Sequence, residues 1–394
     1  MWTPARLHTL ALAAVRRPDW EVRMQITGAV LRTVGAPRPY EVSTPLDVVP
    51  LELDGPRETE LLVEIEVASV CHSDLSVVDG SRSRPTPMLL GHEAAGRVLE
   101  VGSGVDDIAV GQRLVLTFLP RCGACGGCAS DGVAPCVPGS AANGAGEMLA
   151  GGGRLSDAEG PVHHHLGVSG FATHAVVDRR SVVPVGDDVP AEVAALLGCA
   201  VLTGGGAVVN AARPAPGSTL AVVGLGGVGM AALVTALALD DVEVVGVDTS
   251  RAKRDQALRL GASRALDPDE AAATLKADRV VEAVGRASAF ELAVACTAAG
   301  GTTVTVGLPA PDDTATVSPL ALVAEGRTIV GSYLGSSVPA RDVPIFVDLW
   351  RRGRLPVEQL ISSSLPLSRI NEAMERLAEG SELRQLITMK ADAR

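Results

Sequence analysis

Four cysteines in the first half of the chain have the spacing of metal ligands. They are Cys122, Cys125, Cys128 and Cys136, which give the pattern C-x2-C-x2-C-x7-C. Four thiolates this close can enclose Zn²⁺ tetrahedrally and leave no open position, so the ion would organise a glycine-rich loop. An iron–sulfur cluster, which also takes four cysteines, is the alternative. Ordinary free thiols are disfavoured because four of the seven cysteines fall in this one run.

Three further residues, far apart in the sequence, can form a second metal site. Cys71, His92 and Cys199 supply two thiolates and an imidazole, a set that leaves zinc one open position for a substrate oxygen. Asp74 can orient the imidazole of His92, and Glu93 can sit beneath the metal. Each residue alone is more often a packing residue, so the prediction depends on their occurring together with the other motifs.

A glycine-rich turn in the second half of the chain has the pattern of a dinucleotide site. Gly224, Gly226 and Gly229 form G-x-G-x-x-G directly after an apolar strand and before a helix. The first glycine allows a tight turn, the second lets a pyrophosphate approach the backbone, and the third lets helix and strand pack closely. The helix N-terminus then offers free N–H groups to the phosphates. A glycine turn without a ligand is the disfavoured alternative.

An acidic residue after the next strand indicates which dinucleotide binds. Asp248 lies 19 residues after Gly229, where its carboxylate can accept hydrogen bonds from ribose hydroxyls and repel the additional phosphate of NADP. Lys253 can add a contact with the ribose. Arg251 weakens this argument, because an arginine near the turn can accept a phosphate. The sequence therefore predicts NAD, with NADP as the alternative.

The pattern of apolar residues predicts the elements that position these groups. Up to about residue 217, short runs of alternating polarity such as 61–67 indicate half-buried strands separated by glycine turns. Beyond it, strands alternate with helices, which is typical of a doubly wound parallel sheet. The predicted strands of that sheet are 219–223, 243–247, 278–282 and 302–306. Helices over 342–352 and 367–377 and a strand over 384–389 follow, and 141–153 is expected to be a loop.

The composition excludes several classes of protein. Of 394 residues, 47% are hydrophobic and 20% charged, which is enough apolar surface for two domains and too much for a disordered chain. The formal net charge of -12 disfavours nucleic acid as a partner. The stretch 220–239 is uncharged and long enough to span a membrane, but its four glycines favour a strand, a turn and a helix. Reduced thiols at metal-ligand spacing suggest a cytoplasmic protein.

The first 23 residues stand apart from this pattern. An apolar run over 7–15 faintly resembles a signal peptide, but two arginines follow at once and no convincing small-residue cleavage site is present. We expect residues 1–23 to be an extension, or the product of a start upstream of Met24, because a periodic strand begins just after that methionine.

Taken together, the motifs resemble those of the zinc-dependent alcohol dehydrogenases of the medium-chain dehydrogenase/reductase family. The likeness runs from about Ile26 to Met389, and its motifs occur in the family's order. These motifs are Cys71-His72-Ser73-Asp74, Gly91-His92-Glu93, the four-cysteine lobe, Val162-His163-His164, Cys199 and the glycine fingerprint. The resemblance implies an α/β fold, with a Rossmann doubly wound parallel sheet inserted into a mainly-β, GroES-like catalytic domain.

The resemblance also implies domain boundaries and an assembly. Residues 24–200 would form the first part of the catalytic domain, with the zinc-binding lobe over 120–137. Residues 201–333 would form the NAD-binding domain, and 334–394 the return to the catalytic domain. The segment between Cys136 and His163 has the length that accompanies dimers in the family, so a homodimer is expected.

By resemblance, the chain is an enzyme that transfers a hydride between NAD and a primary alcohol or aldehyde. One zinc ion, on Cys71, His92 and Cys199, would be catalytic, and a second, on the four cysteines, structural. Ser73 would accept the hydroxyl proton and relay it to the nicotinamide ribose. Many relatives end this relay with a histidine where the chain has Ser76, so we expect a relay that ends in solvent.

The resemblance assigns nucleotide contacts beyond the fingerprint glycines. His72 and Arg384 would help to hold the pyrophosphate. Thr203 and Val228 would touch the nicotinamide, and Val228 follows Gly227 within the fingerprint.

The substrate pocket implied by the resemblance is mostly apolar, so the body of the alcohol should be apolar or aromatic. Its implied lining residues are Phe118, His165, Leu166, Leu308 and Tyr333. Arg82 and Arg84 fall in the loop at the pocket mouth, where they can recruit a carboxylate or phosphate, although a solvated loop is favoured.

Other functions remain as alternatives. A formaldehyde dehydrogenase acting on a thiol adduct is one, although Ser140 stands where the glutathione-dependent branch usually has arginine. A biosynthetic alcohol dehydrogenase with an anionic substrate is another. A zinc-free quinone reductase is disfavoured by the three open-site ligands and the four-cysteine lobe. A non-catalytic nucleotide-sensing zinc protein is disfavoured because it does not need the three open-site ligands together with Ser73.

Overall fold

The computed structural model describes residues 23–389, whose strands form three sheets. Of the extension predicted over 1–23, residues 1–22 lie outside the described residues, and Arg23 belongs to the first strand. In chain order the strands are β1 (Arg23–Leu31), β2 (Leu46–Asp54), β3 (Glu60–Val70), β4 (Met88–Leu89), β5 (Ala94–Val101), β6 (Arg113–Leu116), β7 (Leu155–Asp157), β8 (Gly160–His164), β9 (His174–Asp178), β10 (Val182–Val185), β11 (Thr219–Val223), β12 (Glu243–Val247), β13 (Arg264–Leu266), β14 (Ala277–Glu282), β15 (Thr297–Thr305), β16 (Thr328–Gly331), β17 (Ile361–Pro366) and β18 (Arg384–Thr388).

Helices connect and cover these sheets. The α-helices are α1 (Tyr40–Ser43), α2 (His72–Val78), α3 (Gly126–Ala129), α4 (Val137–Ala145), α5 (Ala191–Leu196), α6 (Leu202–Gly206), α7 (Gly227–Leu237), α8 (Arg251–Leu260), α9 (Pro268–Thr274), α10 (Ala287–Cys296), α11 (Pro319–Glu325), α12 (Pro339–Arg351) and α13 (Ile370–Glu379). Two π-helical stretches, Leu197–Val201 and Ala207–Ala212, extend α5 and α6.

The first half of the chain builds two sheets that share a buried core. One is a closed barrel in the order β1-β2-β7-β8-β4, and the other has seven strands in the order β10-β6-β5-β3-β18-β17, with β9 also paired to β3. The strand predicted over 61–67 lies within β3, and its inward residues Leu61, Val63 and Ile65 are buried. This part of the chain is therefore mainly β, as expected.

The second half builds a parallel sheet of six strands in the order β13-β12-β11-β14-β15-β16. Strands β11 and β12 are apolar and buried almost throughout, which is typical of parallel strands covered by helices. Strands β17 and β18 follow this sheet in sequence but β18 pairs with β3 of the other sheet. The predicted fold, a Rossmann sheet inserted into a mainly-β domain, is thereby confirmed.

The uncharged stretch 220–239 is a strand, a turn and a helix, because it contains most of β11 and all of α7. A different helical segment, Ala191–Ala212, is long and apolar enough to cross a membrane by length and composition alone. Within its most apolar window, 83% of the residues are buried inside the protein. A core helix passes the same test, so this segment is weak evidence for a membrane span.

Some boundaries differ from the sequence predictions. The expected loop over 141–153 contains the end of α4, because Cys136 caps this helix through its Sγ and a proline occupies its first turn. Strand β15 begins at Thr297 rather than at residue 302. The helix expected over 367–377 begins as a 3₁₀ turn and becomes α-helical only at Ile370.

Candidate active site

Cys71, His92 and Cys199 are brought together from three different elements. Cys71 follows β3 and caps α2, and its backbone N–H donates to Asp74 Oδ2 at 3.1 Å. His92 follows Gly91, whose φ of +89° and close approach to the backbone of Phe171 leave no room for a side chain. Cys199 lies in the π-helical stretch after α5.

The donor atoms of these three residues lie within 4.8 Å of one another, and all three side chains are buried. His92 Nε2 is 3.5 Å from Cys199 Sγ. Hydrogen bonding to Cys199 holds the pKa of Cys71 well below its usual value, which favours the thiolate that binds metals. Two thiolates and an imidazole in this arrangement fit zinc, with one ligand position left open.

Asp74 fixes the orientation of the histidine ligand. Its Oδ1 lies 2.9 Å from His92 Nδ1 and 3.3 Å from the backbone N of Gly91, from which it accepts a hydrogen bond. Because Nδ1 faces this carboxylate, Nε2 points to the cysteines, as expected. The same Oδ1 is 3.2 Å from Nδ1 of His165, so His165 contacts the support of the metal site.

Glu93 lies beside the metal cluster but is not one of its three members. Its Oε1 accepts a hydrogen bond from the backbone N–H of Ala200 at 3.1 Å, and its Oε2 accepts one from Arg384 at 2.9 Å. Burial raises the pKa of Glu93 to about 7. Glu93 therefore braces the residue next to Cys199 and the arginine that faces the nucleotide turn.

The four-cysteine loop has the geometry of a closed metal site. The sulfur atoms of Cys122, Cys125, Cys128 and Cys136 lie within 4.8 Å of one another. Cys122 and Cys128 are 3.9 Å apart at sulfur, as are Cys125 and Cys136. Tetrahedral zinc with Zn–S bonds of about 2.3 Å separates its sulfurs by about 3.8 Å, so the loop fits zinc.

Backbone N–H groups support the thiolates of this loop. Cys136 Sγ accepts from the backbone N–H of Cys122 at 3.2 Å, and Cys125 Sγ accepts from that of Cys128 at 3.4 Å. Hydrogen bonds from the backbone N–H groups of Cys128 and Val137 lower the pKa of Cys125 to about 6. The loop therefore favours a thiolate at Cys125, whereas burial raises the pKa of Cys136 to about 11.

The glycine turn between β11 and α7 is shaped for close approach. Gly224 has a φ of +91°, and a Cβ on Gly229 would collide with the carbonyl oxygen of Gly224. Gly226 faces open space. Any side chain on Gly227 would strike the guanidinium of Arg384, whose Nε is buried without a hydrogen-bond partner among residues 23–389. A pyrophosphate fits beside this glycine turn, where the unpaired Nε–H of Arg384 can donate a hydrogen bond to it.

Asp248 follows β12 at the edge of the same cavity. Its Oδ2 accepts a hydrogen bond from the backbone N–H of Leu225 at 2.7 Å, and its Oδ1 accepts one from Ser250 at 2.8 Å. Lys253, in the first turn of α8, also lines the cavity. The carboxylate is therefore held in place where a ribose would lie beside the turn.

A cavity of about 710 Å³ joins the metal cluster to the nucleotide turn. The predicted site residues on its wall are Cys71, His72, Ser73, Arg82, Phe118, Cys199, Thr203, Gly224, Gly226, Gly227, Val228, Asp248, Lys253, Leu308, Tyr333 and Arg384. His165 and Leu166, predicted for the pocket, are almost fully buried and are not part of this wall. The Phe118 ring packs edge-on against the rings of both His92 and Tyr333, so aromatic contacts link the metal ligand to the cavity wall.

Sequence reasoning missed part of the nucleotide wall. Residues 283–286 and Val306 line the cavity at the ends of β14 and β15. Glu282 shapes the first of these turns by accepting hydrogen bonds from the backbone N–H groups of Val284 and Gly285. Ligands bind outside the carboxyl ends of parallel strands, and this rule applied to all four predicted strands would have found them.

Comparisons with known proteins agree with the fold. A family model described as alcohol dehydrogenase GroES-like domain matches residues 57–190, and one described as zinc-binding dehydrogenase matches 227–351. A geraniol dehydrogenase of Castellaniella defragrans is 37% identical over 370 residues, which are 91% of this chain and 96% of that protein.

Solved structures give the same result. An alcohol dehydrogenase zinc-binding domain protein of Burkholderia ambifaria has a TM-score of 0.87 and 32% identity, over 94% of this chain and all of the other. A benzyl alcohol dehydrogenase of Acinetobacter calcoaceticus has a TM-score of 0.83 and 28% identity, over 93% of this chain and all of the other.

The chain belongs to the zinc-dependent alcohol dehydrogenases of the medium-chain dehydrogenase/reductase family. It is an enzyme that uses zinc and NAD for the oxidoreduction of alcohols. The open ligand set of two cysteines and one histidine is the one known from alcohol dehydrogenases.

Proposed function

We propose that this enzyme oxidises primary alcohols with an apolar or aromatic body, or reduces the matching aldehydes. The proposal rests on one observation: Cys71 and Cys199 line the same cavity as the nucleotide turn, and the rings of Phe118 and Tyr333, which pack edge-on, line that cavity as well. An aromatic wall beside the ligand cluster favours a substrate with a hydrocarbon body. The names of two relatives, geraniol and benzyl alcohol dehydrogenase, support this class.

Each part of the cavity has a proposed role. Cys71, His92 and Cys199 hold the catalytic zinc, and the four-cysteine lobe holds a structural one. When bound, zinc acts as a Lewis acid on the alcohol oxygen and NAD accepts the hydride. The guanidinium of Arg384 and the ammonium of Lys253 supply positive charge for the pyrophosphate and ribose. His72, whose pKa is lowered by desolvation and by these two cations, offers a neutral imidazole for hydrogen bonding.

The proton leaves the substrate through the hydroxyls of α2. Ser73 and Ser76 are one helical turn apart, both are half-buried, and both line the cavity. As Ser73 Oγ accepts the hydroxyl proton, it would give its own proton towards the nicotinamide ribose, and Ser76 Oγ would pass a proton on towards solvent by the same exchange. A hydroxyl does not store a proton near neutral pH as imidazole does, so transfer ends in water.

We further propose a cytoplasmic homodimer. Strand β16 lies at the edge of the parallel sheet, with its hydrogen-bonding side open among the described residues. Next to it in sequence, Leu320 and Val323 of α11 are 78% and 82% exposed. An open edge beside exposed apolar side chains is a surface that a second copy can cover. Free cysteines at both metal clusters support a reducing compartment.

NADH formation with a panel of primary alcohols tests the function. The panel contains aliphatic, aromatic and carboxylate-bearing alcohols and thiol adducts of formaldehyde. We expect turnover of the aliphatic or aromatic members, and loss of at least about a hundredfold in kcat for Ser73→Ala. Ser83→Ala, exposed in the next loop, is the matched control. Zinc-loaded enzyme that binds NADH but oxidises no alcohol would contradict the proposal, and turnover of thiol adducts alone would favour the formaldehyde alternative.

A further inference from the structure

Two arginines lie at the substrate end of the cavity. Arg82 is part of its wall, whereas Arg84, two residues further along the same loop, is half-buried behind the wall residues. Arg84 is close enough to Tyr333 and to His165 to act on the pKa of both. The Tyr333 ring packs against Phe118 and Phe118 against His92, and the His165 ring packs against His92 directly, so the arginine loop is close to rings that border the metal cluster.

Neither guanidinium is neutralised within residues 23–389. No hydrogen bond or ion pair joins the side chain of Arg82 or Arg84 to a described residue, and the Nε of Arg84 is shielded from solvent without a partner. Other partly or fully buried arginines have partners, which are backbone carbonyls for Arg121 and Arg279 and carboxylates for many of the rest. Examples are Arg113 with Glu66, Arg154 with Glu60, Arg180 with Asp178 and Arg341 with Asp342.

The acidic side chains of the cavity wall have hydrogen-bond partners other than Arg82 and Arg84. Asp79, Asp248 and Asp313 lie on the wall, and each accepts backbone N–H hydrogen bonds from its own or a neighbouring loop. None of them is within ion-pair distance of Arg82 or Arg84. A half-buried cation with no acid beside it is unfavourable unless a ligand brings the missing charge. Burial, reinforced by Arg82, accordingly lowers the pKa of Arg84.

The cations that face the nucleotide form a separate group. The positive charges of Arg384 and Lys253 are both close enough to His72 to lower its pKa, and Arg384 lies over the glycine turn. The charges of Arg82 and Arg84 instead act to lower the pKa of Tyr333, at the other end of the cavity. The cofactor phosphates therefore already have their own cations, and the pair at the mouth is available for a group on the substrate.

We propose that Arg82 and Arg84 bind an oxyanion, a carboxylate or a phosphate, at the end of the alcohol remote from its hydroxyl. The inference rests on the proposed function, because it assumes that the hydroxyl lies at the metal cluster and the apolar body against Phe118 and Tyr333. Two adjacent guanidiniums suit the planar fork of a carboxylate or the oxygens of a phosphate. The substrate class is then an alcohol with a hydrocarbon body and an anionic tail.

Matched aromatic alcohols test this pair. They are benzyl alcohol, 4-(hydroxymethyl)benzamide, 4-(hydroxymethyl)benzoate and 4-(hydroxymethyl)phenyl phosphate, which share the reacting group and differ in charge. We expect the wild-type kcat/KM to be about ten- to a hundredfold higher for an anionic member than for the neutral ones. The better of the two anions identifies the oxyanion. Equal values for charged and neutral alcohols would overturn the inference.

Variants locate the effect. Arg84→Gln and Arg82→Gln should remove most of the preference for the anion and leave benzyl alcohol within about twofold. Arg84→Lys should keep part of it, because charge remains but the fork is lost. Arg259→Gln, exposed on α8 away from the cavity, is the control. Equal losses on charged and neutral alcohols in Arg84→Gln would show a merely structural role and overturn the proposal.

Equilibrium binding separates this proposal from the proposed function. The same four alcohols are titrated into zinc-loaded enzyme saturated with NADH, where oxidation cannot proceed. Tighter binding of an anion, lost in Arg84→Gln, supports the pair even if no alcohol in the panel is oxidised. Oxidation of benzyl alcohol with no preference for anions in binding or turnover supports the proposed function and overturns the anion site.

Discussion

Arg384 Nη1 donates a hydrogen bond to Glu93 Oε2 at 2.9 Å, and this buried ion pair joins the metal cluster to the nucleotide turn. Glu93 follows the ligand His92 and braces Ala200, next to the ligand Cys199. The guanidinium of Arg384 lies over Gly227. A strand near the end of the chain thus fixes the relative positions of two sites encoded far from it.

Replacing Arg384 should weaken cofactor binding. We expect Arg384→Gln to raise the Kd for NADH about ten- to a hundredfold, because a charged donor to the pyrophosphate is lost, and Arg384→Lys to recover part of the affinity. Fluorescence titration of NADH measures both. Arg376→Gln, which alters an arginine paired with Glu372 on α13, is the control. An unchanged Kd in Arg384→Gln would remove Arg384 from the phosphate site.

Metal analysis should find two zinc ions per chain. Cys199→Ser should lose one ion and all measurable turnover while retaining its circular dichroism spectrum. Cys128→Ser should lose the other ion and melt at a lower temperature, because the lobe has little core of its own. Cys296→Ala, which alters a buried thiol outside both clusters, should keep both ions. Retention of two ions in Cys199→Ser would rule out the proposed catalytic ligand set.

The pH dependence of turnover should reflect the hydroxyl at the end of the relay. We expect the wild-type kcat to show little inflection near pH 6.5, where a histidine in the relay would titrate. Ser76→His should introduce such an inflection, with lower activity on its acid side, because the protonated imidazole cannot accept the proton. Initial rates from pH 5 to 9 measure it, with Ser76→Asn as the non-titrating control. Identical profiles for Ser76→His and wild type would mean that protons leave by another route.

Acid should destabilise the fold through His164. Burial lowers the pKa of this histidine from 6.5 to about 3, and His164 Nε2 accepts a hydrogen bond from the backbone N–H of Arg154. The unfolded chain therefore binds the proton more readily, so the stability from neutral His164 is complete above pH 6.5 and falls as pH drops towards 3. The loss is on the order of 3 kcal/mol at pH 4.5.

Urea unfolding of His164→Gln and wild type at several pH values tests this loss. The difference in unfolding free energy between the two proteins should shrink as pH falls from 6.5, because only wild type carries the buried imidazole. His163→Gln, at the half-buried neighbouring position, is the control. A difference that stays constant between pH 7 and pH 4.5 would show that His164 does not remain neutral in the fold.

Asp248 should set the choice between the two nicotinamide cofactors. Asp248→Ala removes the carboxylate that faces the ribose, so we expect the ratio of kcat/KM for NADP to that for NAD to rise at least about tenfold. Asp255→Ala, on the exposed side of α8, is the matched control. A ratio that does not move would mean that residues after β12 other than Asp248 select the cofactor.

Much of this protein could be predicted from local sequence, because several of its sites are made by consecutive residues. The four cysteines, the glycine fingerprint and the pair His92 and Glu93 each lie within a few residues, and spacing alone indicates what they bind. Long apolar runs likewise identified four of the six strands of the parallel sheet, and β13 and β16 were missed. Short elements such as β7 and α9 were not predicted, because a few residues show too little hydrophobic periodicity.

The sequence by itself determined which chemistry is present: seven cysteines, two ligand patterns, a nucleotide turn and an acidic residue after the second strand of its sheet. Only the tertiary structure decided which groups meet. Cys199 contacts His92, which is 107 positions away in the sequence, and Arg384 contacts Glu93, which is 291 positions away. His165 contacts Asp74 and does not line the cavity. The tertiary structure also leaves Arg82 and Arg84 without an acidic partner within residues 23–389. The physical reason is that charge pairing and burial depend on contacts between distant elements, which spacing along the chain does not specify.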